Sequence, residues 1–285
     1  MKASALTEPL VQHGEGPVWD HASWVLYWVD MLAGDLLSRR YVDGVVRRRH
    51  VGSVAAAVRP RRGGGLVIAL ERGFALLDPG TGDPQVLDPI WDDPSVRMND
   101  GGCDPQGRFY CGSMAYDEAP GRGRLYQLDS TCRVRVVLEP VTISNGLAWG
   151  LDGSTAYYVD SATQRVDAFD FEAAEGRFSN RRPVVEIAGT DGAPDGITVD
   201  AEGGIWVALW GGSAVRRYLP DGRLDEVIEL PVTQVTACTF GGPDLNELSI
   251  TTSRYGVADD DQPLAGAVFV AHPAVRGLPA LTYAG

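Results

Sequence analysis

Cysteines and long apolar runs are both scarce in this chain, and each shortage excludes a class of protein. The 285 residues include four cysteines and four histidines, with no Cys-x-x-Cys pair and no histidines at the spacing of a zinc site. We therefore expect reduced cysteines that pack as small apolar residues, in a cytoplasmic protein. No stretch approaches the roughly 18 apolar residues of a membrane-spanning helix. The N-terminal segment MKASALTEPLVQHGEG also lacks the apolar core of a signal peptide, so no membrane association is expected.

Basic side chains are outnumbered as well. The chain has 25 lysine and arginine residues against 38 aspartate and glutamate residues, which gives a net charge of −13. Nucleic-acid binding depends on a basic face that releases counterions, so a nucleic acid is not an expected partner. The Gly-x-Ser-x-Gly motif of many serine hydrolases is also absent, which argues against that mechanism. The acidity itself chiefly favours solubility and points only weakly to cation or small-molecule chemistry.

Short apolar runs, rich in β-branched and aromatic residues, take the place of helical periodicity. They are VLYWVD (25–30), GLVIAL (65–70), RFYCGSM (108–114), TAYYVDS (155–161), GIWVALW (204–210) and ELSITTS (247–253). Turn signals such as Pro105-Gln106-Gly107 and Leu151-Asp152-Gly153 precede them, and such residues tolerate the positive φ of tight turns. These patterns predict an all-β, antiparallel protein.

These runs belong to a repeat in the sequence. Segments that begin with a small residue recur at intervals of 40 to 50 residues: GPVWD at 16, AAVRP at 56, GGCDP at 101, GLAWG at 146, GITVD at 196 and ACTFG at 237. Six units of about four strands predict a six-bladed β-propeller, with residues 1–285 as a single domain. The last unit has only three strands before the tail PALTYAG, so we expect the N- and C-terminal segments to complete one blade together and close the ring.

The residue that precedes each repeat occupies the start of an innermost strand, where the six blades surround the central channel. In chain order these residues are Glu15, Ala55, Asp100, Asn145, Asp195 and Thr236. Four of the six carry carboxylate or amide oxygens, which suit a hard divalent cation. The alternative is that acids before glycine only stabilise turns, since Asx-Gly pairs are common there. Their recurrence at equivalent positions favours the metal site.

The same segments resemble one known family along essentially the whole chain. The motifs are GEGPVWD (14–20), RMNDGGCDPQGRFYCGSM (97–114), SNGLAWGLDGSTAYYVDS (144–161), PDGITVDAEGGIWVALW (194–210) and CTFGGPDLNELSITTSR, followed by the terminal YAG. They are similar to those of the senescence-marker-protein, regucalcin and gluconolactonase family. The resemblance implies a six-bladed propeller with one divalent metal in its channel and hydrolysis of sugar lactones.

The resemblance also implies roles for individual residues. Glu15, Asn145 and Asp195 match the protein ligands of the metal, and Arg97 and Asn99 match the substrate-binding pair. The next sugar-binding position falls near Asp117, where some relatives carry glutamate. Asp100 is on the predicted ring, but the resemblance does not make it a metal ligand.

Lactone hydrolysis suggests how this set would work. A cation that polarises the carbonyl stabilises the developing oxyanion, and Asp195 is expected to activate water as the catalytic base. The metal could be Ca²⁺, Zn²⁺, Mn²⁺, Mg²⁺ or Fe²⁺, and the protein a monomer or a homodimer. The same site could instead serve a metal-dependent esterase or phosphotriesterase, or a non-catalytic, calcium-binding regulatory propeller; Arg97 and Asn99 favour catalysis on a sugar lactone.

Two other features are expected to be structural. His13 and His21 flank Glu15, and strand alternation does not place them clearly on its face. The acidic run Asp259-Asp260-Asp261 lacks the spacing of a calcium loop and is expected to be an exposed loop, with a secondary cation site as the alternative.

Overall fold

Short β-strands make up almost all of the regular structure. The computed structural model describes residues 1–80, 82–258 and 261–285, and these ranges contain 24 strands, three short 3-10 helices and no α-helix. In chain order the strands are β1 (Ser4–Ala5), β2 (Gly14–Asp20), β3 (Val25–Asp30), β4 (Asp35–Arg40), β5 (Val46–His50), β6 (Ala55–Pro60), β7 (Leu66–Leu70), β8 (Phe74–Leu77), β9 (Gln85–Val86), β10 (Val96–Cys103), β11 (Phe109–Ala115), β12 (Gly123–Leu128), β13 (Val134–Val141), β14 (Ser144–Trp149), β15 (Thr155–Asp160), β16 (Arg165–Glu172), β17 (Arg177–Glu186), β18 (Ala193–Val199), β19 (Ile205–Trp210), β20 (Ala214–Tyr218), β21 (Leu224–Glu229), β22 (Val235–Gly241), β23 (Glu247–Thr252) and β24 (Phe269–Ala271). The 3-10 helices are Met31–Ala33, Ser161–Thr163 and Gly189–Asp191.

The strands form six four-stranded antiparallel sheets, so the predicted six-bladed β-propeller is confirmed. Blades 1 to 5 are the consecutive groups β2–β5, β6–β9, β10–β13, β14–β17 and β18–β21. The first strand of each blade contacts the first strand of the next blade, which makes these six strands the wall of a central channel. Each predicted run of β-branched and aromatic residues supplies the second strand of its blade.

Blade 6 combines the two ends of the chain. Its order is β22-β23-β24-β1, and Ser4 and Ala5 pair with Val270 and Phe269 in an antiparallel register. The N-terminal strand therefore occupies the outer edge of the last sheet and covers a strand that would otherwise be open to further pairing. The N-terminal ammonium also donates a hydrogen bond to the Val227 carbonyl of blade 5 at 2.7 Å.

Apolar side chains between neighbouring blades form the core. Phe74 of blade 2 packs edge to face against Phe109 of blade 3, with ring centroids 5.6 Å apart, and Trp206 of blade 5 packs against Phe240 of blade 6 at 5.8 Å. Such contacts favour a fixed angle between blades, because aromatic pairs prefer this geometry.

No helix in the described ranges is long and apolar enough to cross a membrane. Asp259 and Asp260 of the acidic run lie outside those ranges, and Asp261 is exposed.

Every innermost strand carries a β-bulge where it approaches the channel axis. The register shifts fall at Glu15/Val18, Ala55/Ala57, Met98/Gly101, Ser144/Leu147, Pro194/Ile197 and Val235/Ala237. A bulge bends the strand and re-aims a side chain. The pairs Glu-Gly, Asp-Gly and Asn-Gly mark these bulges in blades 1, 3, 4 and 5.

Glycine occupies four of these six bulges, and at Gly101 and Gly146 it is required because the backbones approach closely. A Cβ atom on Gly101 would lie 1.9 Å from the Tyr110 carbonyl oxygen, and one on Gly146 would lie 2.7 Å from the Asp195 carbonyl oxygen. We expect Gly101→Ala to lower the free energy of unfolding by about 3 kcal/mol, since the backbone must move to admit the methyl group. Chemical denaturation measures this change. Gly63→Ala is the matched control, because no atom lies within 4 Å of its Cβ position; equal effects at both sites would contradict the steric account.

Candidate functional site

A cavity of about 300 Å³ opens at the end of the channel where the innermost strands begin. Five of the predicted site residues line it together: Glu15 from β2, Arg97 and Asn99 from β10, Asn145 from β14 and Asp195 from β18. All five are buried, with 2 to 8% of each residue exposed. The fold thus brings residues from four blades, far apart in sequence, to one site.

The carboxylates of the channel are held by the bulge glycines. Glu15 Oε2 accepts a hydrogen bond from the Gly16 backbone N–H at 3.0 Å, and Asp100 Oδ1 accepts one from the Gly101 N–H at 2.6 Å. Asp195 interacts in the same way with the Gly196 N–H. Asp195 Oδ1, however, is buried without a hydrogen-bond partner. A buried, unpaired carboxylate oxygen is costly, so this oxygen is suited to a cation or a proton.

A chain of hydrogen bonds links the other polar residues. The Arg97 guanidinium donates to Asn99 Oδ1 at 2.6 Å, and Asn99 Nδ2 donates to Asn145 Oδ1 at 2.9 Å. Asn145 Nδ2 then donates to Ser161 Oγ at 2.7 Å, and Ser161 donates to the Pro194 carbonyl at 2.6 Å. The chain fixes the side chain of Asn145, with its amide oxygen toward Asn99 and its amide nitrogen toward Ser161.

Arg97 is buried but has no carboxylate ion pair in the described part of the chain. Its guanidinium lies 5.7 Å from the centre of the Tyr116 ring, and its Nε is buried without a partner. Burial lowers the pKa of Arg97 from its ordinary value. An arginine held in this way keeps a free donor for an oxygen of a ligand.

Burial and mutual repulsion dominate the electrostatics of the acids. Burial, followed by the negative charge of Asp100, raises the pKa of Glu15 to about 8. Burial and the charge of Glu15 raise the pKa of Asp195 well above its ordinary value, and burial also raises that of Asp100. The positive charges of the protein therefore do not compensate the negative charge of these carboxylates, whereas a bound cation would compensate it.

The donor set fits a hard divalent cation with mixed oxygen ligands. No three His, Cys, Asp or Glu side chains are grouped as a metal site in residues 1–80, 82–258 and 261–285. A cation at this position would instead use two carboxylates, from Glu15 and Asp195, and the amide oxygen of Asn145. The unpartnered oxygen of Asp195 is the observation that favours this set, because Ca²⁺, Mg²⁺ and Mn²⁺ all accept carboxylate and amide oxygens.

Asp100 and Asp117 are not among the residues that line the cavity. Asp100 is buried in the channel but does not line the cavity; Arg59, which donates to the neighbouring Gly101 carbonyl, is the nearby cation. The structure does not bring Asp117 to the cavity: its carboxylate accepts a hydrogen bond from the Ala119 N–H in an exposed turn. The next residue, Glu118, lines the cavity instead, at a left-handed φ of 58°.

His13 also lines the cavity, which the sequence analysis did not anticipate. Burial and the nearby charge of Arg97 lower the pKa of His13 to about 3, so its imidazole is neutral. A signal was present in the sequence, because residues i and i+2 of a strand point to the same face and His13 is two positions before Glu15. Trp210 and Tyr255 pack against His13, and Tyr116 also lines the cavity.

The comparison with protein families decides where this chain belongs. A model of the family described as the SMP-30/gluconolactonase/LRE-like region matches residues 13–254. The chain belongs to this family. The matched region extends from His13 through the strands that carry Glu15, Arg97, Asn145 and Asp195, so it contains every residue that lines the cavity except Tyr255.

Individual family members are similar over their full lengths. Regucalcin of Oryctolagus cuniculus is 36% identical over 283 residues, which cover 95% of each chain. A solved structure of a calcium-binding protein, regucalcin, from Agrobacterium tumefaciens is 29% identical, with a TM-score of 0.94 over 99% of this chain and 97% of that one. A luciferin-regenerating enzyme is 30% identical, with a TM-score of 0.91 over 100% and 99% of the two chains. The family thus includes proteins named for calcium binding and proteins named for catalysis.

Proposed function

We propose that this protein is a metal-dependent hydrolase that opens a sugar lactone to its aldonic acid. The observation that carries the proposal is that two residues lining one cavity each have a buried polar atom without a hydrogen-bond partner. These atoms are the carboxylate Oδ1 of Asp195 and the guanidinium Nε of Arg97. The first suits a cation or a proton, and the second suits an electron-rich oxygen. Membership of a family described in part as gluconolactonase supports the same reaction class.

Glu15, Asn145 and Asp195 would hold one divalent cation, which would polarise the lactone carbonyl and stabilise negative charge on its oxygen. Asp195 then has the central protein role: with one carboxylate oxygen toward the cation, its other oxygen would accept a proton from water as the water oxygen attacks the carbonyl carbon. The bond between that carbon and the ring oxygen breaks, and Asp195 returns the proton to the departing oxygen. The product is the open-chain hydroxy acid.

Arg97 and Asn99 orient the substrate in this scheme. The Arg97 guanidinium is fixed by Asn99 Oδ1 at 2.6 Å and by the Met98 carbonyl at 3.0 Å, so its free Nε points in a set direction. Donation from Nε to a substrate oxygen would align the lactone before water attacks, which reduces the entropic part of the barrier. Asp117 is exposed, so a role for it in sugar binding requires the turn to move.

Acid release from a panel of lactones tests the proposal. We expect D-glucono-, D-xylono-, L-arabinono- or D-galactono-lactone to be opened by protein supplied with a divalent cation, and the rate to fall to background after chelation and to recover on re-addition. A pH-stat with Ca²⁺, Mg²⁺, Mn²⁺, Zn²⁺ and Fe²⁺ in parallel measures both metal and substrate preference. Hydrolysis that persists after complete removal of metal would overturn the proposed mechanism.

The panel also separates the alternatives. Tight metal binding without release of acid from any lactone would indicate a binding protein, as the name of the Agrobacterium tumefaciens relative suggests for that protein. Faster turnover of simple esters or phosphotriesters than of every lactone would indicate a broader metal-dependent esterase. Apart from the metal, Arg97 and Asn99 favour the lactonase over a protein that only binds a cation, because cation binding alone does not need an oriented arginine.

A further inference from the structure

The fold does not require a polar side chain at position 13. The residue two places before the ring position is His13 in blade 1, Ile143 in blade 4 and Ala193 in blade 5, and all three line the cavity. The backbone is held alike in blades 1 and 4, since the N–H groups of His13 and Ile143 donate to Asp30 and Asp160 at 3.0 and 2.9 Å. Apolar residues meet the structural needs of this position elsewhere, so the imidazole calls for another explanation.

The contacts of Ser253 select one tautomer of this imidazole. His13 Nδ1 lies 2.8 Å from Ser253 Oγ, which also lies 3.2 Å from the Gln12 carbonyl oxygen and accepts the Tyr255 N–H at 2.9 Å. A hydroxyl has a single proton, and the Gln12 carbonyl can only accept one. The three contacts coexist only if His13 Nδ1 carries its proton and donates to Ser253. The Nε2 atom is then an acceptor with a free lone pair.

The ring is also fixed in place. Trp210 and Tyr255 pack edge-on against it, with centroids 5.7 and 6.1 Å away, and the residue is only 8% exposed. No described side chain hydrogen-bonds to Nε2. An oriented acceptor therefore faces the cavity near Arg97, which can only donate.

We propose that His13 Nε2 accepts a hydrogen bond from a hydroxyl group of the substrate, and that Ser253 is a positioning residue that fixes the tautomer. This inference rests on the proposed lactonase function and adds a specificity residue to it. A fixed acceptor in a buried wall discriminates against substrates that lack the matching hydroxyl, because the acceptor is then left unpaired.

Kinetics on two lactones test the role of His13. In His13→Leu we expect kcat/KM for D-glucono-1,5-lactone to fall by about 10- to 100-fold, while kcat/KM for δ-valerolactone, which has no hydroxyl groups, stays within about twofold. His13→Gln should recover part of the loss, since its amide oxygen can accept near the Nε2 position. His21→Leu is the control, because His21 is an exposed histidine in the turn after β2. An equal loss on both lactones in His13→Leu would overturn the assignment.

Binding of a polyol gives a readout without turnover. Isothermal titration of D-glucitol into protein saturated with CaCl₂ should show affinity for the wild type and at least fivefold weaker affinity for His13→Leu. If no lactone is hydrolysed but this difference is found, the proposed function fails and the hydroxyl site stands. Equal glucitol affinity in both proteins, or no binding to the wild type, would overturn the site.

The tautomer can be observed directly. Nitrogen-15 NMR of the wild type should show His13 protonated at Nδ1 only, and Ser253→Ala should show a mixture of tautomers with kcat/KM on the hydroxylated lactone between those of the wild type and His13→Leu. A single, unchanged tautomer in Ser253→Ala would overturn the positioning role of Ser253, because the variant removes the group that is argued to select it.

Discussion

Replacing Asp195 by Asn is expected to lower kcat for lactone opening by about 10³-fold or more at saturating metal. The amide keeps the size of the side chain but cannot take a proton from water, and it removes one of the two negative charges proposed to hold the cation. Asp195 Oδ1 is buried without a hydrogen-bond partner, so in the wild type no donor among the described residues competes for the proton-accepting oxygen. Steady-state kinetics over a range of metal concentrations separate weaker metal binding from loss of the base.

The fold should survive this substitution. The carboxylates of Glu15 and Asp100 both raise the pKa of Asp195, so a neutral residue relieves repulsion in the metal-free protein. We therefore expect the Tm of metal-free Asp195→Asn to equal or exceed that of the wild type. Asp221→Asn, in an exposed turn, is the matched control and should keep full activity. Wild-type turnover by metal-saturated Asp195→Asn would remove Asp195 from the mechanism.

Without metal, the protein is expected to lose stability as the pH rises from about 5 to about 8.5. Burial and Asp100 raise the pKa of Glu15 from an ordinary 4.5 to about 8, so the folded state holds a proton that the unfolded chain has already released. The stabilisation is complete below the ordinary pKa and is lost as the pH passes through the raised one. The pKa of Asp195 is also raised, so Asp195 contributes to the loss of stability in the same direction. We expect Tm to fall by roughly 5–10 °C across this range.

A bound cation should remove this dependence, because it stabilises the ionised carboxylates in place of the proton. Thermal melts at several pH values, with chelator and with Ca²⁺, measure the effect. Glu15→Gln should flatten the metal-free profile, whereas Glu8→Gln, at an exposed position, should leave it unchanged. A metal-free protein that is more stable at pH 8.5 than at pH 5.5 would contradict the assigned direction.

Much of this architecture could be predicted from the sequence because the repeat is strong. A small residue after Glu15, Asp100, Asn145 and Asp195 marks four of the six innermost strands, and the structure places these residues around the channel. The bulges at the same points could not be predicted, because a register shift depends on how two strands meet rather than on either strand alone.

The residues at the rim of the cavity were harder to predict than the residues on the innermost strands. Asp117 and Glu118 are adjacent in a turn, and only the backbone conformation, with Glu118 at positive φ, decides which carboxylate faces the cavity. His13 precedes the regular strand, so strand alternation is an uncertain guide there. Its β-bridge is to Ser253, which follows β23 of the neighbouring blade. Residues on regular strands obey sequence periodicity, and residues at strand ends depend on tertiary contacts.

The pairing of Ser4 with Val270 has a consequence for how the molecule is made. A nascent chain leaves the ribosome N-terminus first, so residues 1–5 emerge before the strand that they pair with has been synthesised. Blades 1 to 5 use contacts close in sequence and can form during translation, whereas this one contact spans almost the entire chain and must overcome a large loop-closure entropy. Ser4 and Ala5 therefore have no strand partner until β24 has been synthesised, and blade 6 is the last blade that can form.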